Sequence, residues 1–78
     1  MTFPEYRAHL ANWRAYLDMT DNDRTLLLMS HLAPPWHQGF HSWPTTWGPV
    51  ECAFGTRERF DEAMACARGK LGREAAKR

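Results

Sequence analysis

Charge is what the middle of this chain lacks. From Thr25 to Val50, 26 consecutive residues contain no Asp, Glu, Lys or Arg. A groove that tracks single-stranded nucleic acid needs basic side chains, so this stretch does not fit one, whatever its aromatics could stack on. Cysteine is also scarce: Cys52 and Cys66 are the two in 78 residues. That usage suits a reducing cytosol rather than a disulfide-dense secreted scaffold. No segment reaches the ~18–20 apolar residues of a membrane span. Met1-Thr2-Phe3-Pro4-Glu5 carries no basic region followed by an apolar run, so no secretory signal is expected and the localisation expected is cytoplasmic. Net charge of either sign is nearly absent. Ten basic residues against nine acidic give +1, which argues against a protein that coats nucleic acid and against a polyanionic DNA mimic.

What the uncharged stretch does contain is aromatic surface. Its second part, residues 34–50, holds Trp36, Trp43 and Trp47, which are three of the four tryptophans, and four of the five prolines. A chain of 78 residues forms one small domain with a marginal core. Three tryptophans in an irregular segment then allow two readings: they plug the core, or at least one meets a partner.

The helical elements are legible from caps and periodicity. Thr2-Phe3-Pro4-Glu5 forms a capping box, with proline in the first turn. Phe3, Tyr6, Leu10, Trp13 and Leu17 follow at spacings of 3, 4, 3 and 4, one apolar stripe on a helix over about 3–18. Phe3 and Trp13, as members of that stripe, are expected in the core. Thr20-Asp21-Asn22-Asp23 starts a second helix over about 21–32, ended by Pro34-Pro35. Its face, Leu26, Leu27, Leu28, Met29 and Leu32, is broad enough for burial on more than one side. The short link predicts an antiparallel helical hairpin. Prolines and glycines argue against a regular helix over the aromatic loop, about 34–54, and the alternation of Val50, Cys52 and Phe54 suits a brief strand paired with Gln38–Ser42. Thr56 caps a last helix over about 56–71, with Phe60, Ala63, Met64, Ala67 and Leu71 on one face and a frayed basic tail over 72–78. The fold class expected is mainly α.

Residue types that carry chemistry are present without the spacing that makes a site. His31, His37 and His41 with Cys52 and Cys66 could be imagined around zinc, but there is no Cys-x-x-Cys pair, and His37 and His41 straddle a glycine. Cys66, between Met64 and Ala67 on a helix, reads as a small buried hydrophobe. Gly69-Lys70-Leu71-Gly72 lacks the strand and spacing of a phosphate loop. No enzyme, metal or cofactor is expected.

Small size, near-neutral charge, absence of catalytic motifs and one compact aromatic surface together resemble the inhibitors that phages and mobile elements carry, the anti-CRISPR proteins. The resemblance implies a stoichiometric binder of a CRISPR surveillance complex that blocks target DNA recognition or nuclease recruitment. Such families share no binding residues, so none is transferred. The expected interface has aromatic anchors inside a polar rim: Trp36, Phe40, Trp43 and Trp47 as anchors, with Asp21, Asp23 and Arg24, or Arg57 and Arg59, as rim. Two other readings stand beside it. One is a self-associating structural or assembly protein that forms a homodimer. The other is a nucleic-acid accessory acting through the tail, where Arg68, Lys70, Arg73, Lys77 and Arg78 face only Glu74.

Overall fold

The computed structural model describes the backbone of residues 2–36 and 42–76, and the side chains of these as far as Lys70. Four helices follow one another: α1 (Phe3–Asp18), α2 (Asp21–Leu28), α3 (Trp47–Phe54) and α4 (Arg57–Ala76). A 3-10 turn, Met29–His31, extends α2. The chain is mainly α, a helical hairpin plus a C-terminal helix, with no strand among the described residues.

The expected caps form. Thr2 accepts from the Glu5 N–H while the Glu5 carboxylate accepts from the Thr2 N–H. Thr20 accepts from the Asp23 N–H at 3.1 Å, and Thr56 from the Arg59 N–H at 3.1 Å. Each satisfies donors that the first helical turn leaves without partners.

α3 stands where the sequence suggested a strand at Val50–Phe54. Pro49 is the third residue of this helix, a position whose N–H has no intrahelical acceptor, so its proline is tolerated. Val50, Ala53 and Phe54 are its buried residues, a spacing of three and four rather than two. Gly55, at φ 96°, ends it in a backbone conformation that favours glycine. The pairing strand proposed at Gln38–Ser42 falls mostly on residues 37–41, which lie outside the described residues, and Ser42 is not in a strand.

Two boundaries also differ from expectation. α2 closes as α-helix at Leu28 and tightens into the 3-10 turn, leaving Leu32 extended before Pro34. α4 continues through Gly69 and Gly72 to Ala76 rather than fraying near 69–71. The glycine penalty of about 1 kcal/mol each is a weak prior, and good helix formers surround both positions.

α4 is the hub and packs against α1, α2, the 3-10 turn and α3. Phe60, Ala63, Met64 and Ala67 form its buried stripe, as their spacing predicts. Around them lie Tyr16, Leu28, Leu32, Trp43, Val50, Ala53 and Phe54. The Phe60 ring meets Trp47, Phe54 and Tyr16 edge-on at 5.0, 5.4 and 5.7 Å, the separations that aromatic pairs prefer.

The hairpin connection is held by Arg24, which is 6% exposed. Its Nε donates to the Tyr16 carbonyl at 2.8 Å and its Nη2 to the Leu17 carbonyl at 2.9 Å. These are last-turn carbonyls of α1, and the Tyr16 oxygen also accepts from the Met19 N–H at 3.3 Å. Nη1 pairs with Asp21 at 2.9 Å, and the guanidinium sits 4.8 Å from the Tyr16 ring centroid. One side chain of α2 therefore caps α1, using the planar fork that distinguishes arginine from lysine.

Candidate functional site

α1 corrects the strongest sequence expectation. Its fully inward residues are Asn12 and Tyr16. Phe3 is 71% exposed, and Tyr6, Leu10 and Leu17 are exposed as well. At 3.6 residues per turn the half-buried His9 and the buried Asn12 and Tyr16 lie roughly 100° round the helix from the apolar stripe. Trp13, half-buried, sits on the boundary: it stacks on Tyr16 at 5.3 Å and meets Trp47 edge-on at 5.6 Å.

A polar network lets the more polar face turn inward. Asp61 of α4 accepts from His9 Nδ1 at 2.9 Å, from Asn12 Nδ2 at 3.1 Å and from Arg57 at 3.1 Å. Arg68 donates to the Asn12 carbonyl oxygen at 3.0 Å. Tyr16 donates its hydroxyl to the Pro44 carbonyl at 2.7 Å. No buried side-chain polar atom among the described residues lacks a partner. Burial pushes the Tyr16 phenol up to about 12, with the Arg24 charge opposing and Asp21 adding to the shift. The His9 ring also lies 4.5 Å from Trp47 and 5.9 Å from Phe60, both edge-on. α1 thus docks through hydrogen bonds, rings and Ala15, and its leucines remain outside.

The outcome is a groove of about 600 Å³ on the outer side of α1, lined by Arg7, Leu10, Ala11, Trp13, Arg14 and Leu17. Phe3, with Arg7 over its ring at 5.6 Å, continues the same face toward the N-terminus.

The described residues among those expected from sequence to form an interface do not converge on one surface. Trp43 is 7% exposed and is a core plug, its Nε1 donating to Thr25 Oγ1 at 3.3 Å. Trp47 and Trp36 are half-buried and pack against the core. Phe40 lies outside the described residues. Arg24 is withdrawn from the surface into its capping role, where it pairs with the exposed Asp21. Asp23 sits in the first turn of α2, where a carboxylate suits the helix dipole. Arg57 is committed to Asp61 and Glu58. Arg59 lies elsewhere, on a cavity of about 320 Å³ shared with His31, Pro34 and Glu62.

Cys66 is exposed, not buried as expected, because Ala63, Met64 and Ala67 take the inward positions of α4. Cys52 is exposed too, and both thiols are free. No group of three His, Cys, Asp or Glu side chains that could hold a metal occurs among the described residues; His37 and His41 lie outside them. No helix is long and apolar enough to cross a membrane among those residues. Comparison with protein-family models, with curated proteins and with solved structures returns no match.

Proposed function

We propose that this protein is a non-enzymatic binding inhibitor of the anti-CRISPR type, which docks on a CRISPR surveillance complex through the outer face of α1 and blocks target DNA recognition. The observation that supports this is the exposed apolar row Phe3, Tyr6, Leu10 and Leu17. Contiguous apolar surface of this kind on a small domain marks an interaction site, because covering it removes it from water. The row lies on a regular helix whose inner face is fixed by Tyr16 and the Asp61 network, so the side chains are presented in a preset arrangement and little ordering is left for binding. The resemblance in size, charge balance and lack of catalytic motifs supports the class of partner. Asp18 closes α1 and Asp21 opens α2, both exposed, and such carboxylates suit the border of a groove built for DNA.

The test is target DNA binding by purified CRISPR surveillance complexes with the protein added. Inhibition that saturates at a fixed ratio, and is lost in an F3S/L10S/L17S variant of unchanged helicity, is the expected result. Full DNA binding at saturating protein overturns the proposal. The same apolar row favours one second reading, a self-associating assembly protein, in which a second copy covers the face. That reading predicts a molecular mass that rises with concentration.

A further inference from the structure

The groove on α1 carries charge as well as apolar surface. Arg7 and Arg14, seven residues apart, lie two turns from each other along the same edge of the Leu10–Leu17 row. No carboxylate lines the groove among the described residues. Asp18 lies one turn beyond Arg14, outside the lining. The other edge is Trp13, which the core holds in place through Tyr16 and Trp47.

We infer that this groove receives an acidic amphipathic helix of a partner protein, with apolar side chains between Leu10 and Leu17 and carboxylates facing Arg7 and Arg14. The inference rests on the binding role proposed above and adds the chemistry of the partner segment. Three features select it. The row from Phe3 to Leu17 runs about 21 Å, the length of four helical turns, so a single helix of that length covers it. Helix-in-groove recognition uses anchors at this spacing of three and four. The two arginines fit bidentate carboxylate contacts, which set direction and register. A second copy of this chain fits less well. Antiparallel two-fold pairing centred on the groove sets one arginine row against the other, and parallel pairing sets it against the Trp13 edge, which offers no carboxylate.

The experiment uses the 78-residue chain and two synthetic 18-residue helical peptides with the same leucine face, one bearing glutamates and the other lysines. Binding is followed by NMR shift changes. The expected result is shifts centred on Leu10, Trp13 and Leu17, with the Leu/Glu peptide bound roughly tenfold more tightly than the Leu/Lys peptide at low salt. An R7E/R14E variant reverses that preference with unchanged helicity, since neither arginine takes part in the core network. Equal affinity for the two peptides, shifts confined to another surface, or no binding of either overturns the inference. So does saturation of the face by anionic vesicles or by a second copy in preference to the peptide. Inhibition assays with R7E/R14E and with an L10S/L17S variant keep the two proposals apart. If L10S/L17S abolishes inhibition and R7E/R14E does not, the binding face stands and the acidic partner is excluded. If neither variant changes inhibition, the binding face itself falls.

Discussion

Leu10 and Asn12 stand two residues apart on α1, yet the leucine is 41% exposed and the asparagine 7%. The inversion is stable because Asn12 loses nothing on burial: its amide donates to Asp61 and its carbonyl accepts from Arg68. The leucine keeps a surface that no described part of the chain covers.

Leu10→Ser and Leu17→Ser remove apolar surface already in contact with water. Each is expected to change folding stability by about 0.5 kcal/mol or less, as surface substitutions do, while weakening partner binding by roughly 2 kcal/mol where the residue is an anchor. Chemical denaturation and titration against a purified surveillance complex separate the two effects.

Trp43→Ala is expected to do the reverse. A buried tryptophan truncated to alanine costs about 3–5 kcal/mol, a large share of the stability of a domain this size. Denaturant midpoints for W43A and L10S, measured side by side, show whether the aromatic segment is core.

Arg24→Lys keeps the charge and loses the fork. Lysine cannot serve the Tyr16 and Leu17 carbonyls and Asp21 with the same geometry, so a loss of about 1–3 kcal/mol is expected. Helicity at moderate denaturant should fall first at the junction of α1 and α2, which amide hydrogen exchange resolves.

Asp61→Ala strands the donors of His9, Asn12 and Arg57. The expected cost is roughly 2–3 kcal/mol. Asp61→Asn keeps one acceptor oxygen and should cost less. A larger effect for the asparagine variant than for alanine would count against the network as the element that orients α1.

Tyr16 links stability to alkaline pH. Its folded value is raised to about 12 from the ordinary 10, so the stability it contributes is fully present below pH 10 and is lost as pH rises toward 12. Tyr16→Phe should flatten that decline while costing about 1 kcal/mol at neutral pH through the hydrogen bond to Pro44. Denaturation series between pH 8 and about 12 measure both.

The caps, the α4 stripe and the helical class were legible because each is a local signal. Thr2 with Glu5, Thr20 with Asp23, and Phe60-Ala63-Met64-Ala67 need no knowledge of distant residues. α3 is hidden because Gly48 and Pro49 argue against a helix by type, and only their place in its first turn makes them acceptable, although Val50, Ala53 and Phe54 carry a helical spacing. The orientation of α1 was hidden for a different reason. Periodicity ranks side chains by hydropathy, and the partners that make His9, Asn12 and Tyr16 acceptable inside lie 28 to 56 residues away in sequence. The nearest local hint is on α4, where Arg57, Asp61 and Arg68 fall on one side of the helix at spacings of four and seven. The capping role of Arg24 is hidden for the same reason: two of its acceptors are backbone carbonyls, which no side-chain pattern reveals.

The most direct measurement is target DNA binding by a surveillance complex in the presence of wild type, F3S/L10S/L17S and R59A proteins, each verified as folded. The account predicts inhibition by the wild type and by R59A and its loss in the α1 variant. Undiminished inhibition by F3S/L10S/L17S would contradict it and place the interface elsewhere on the chain.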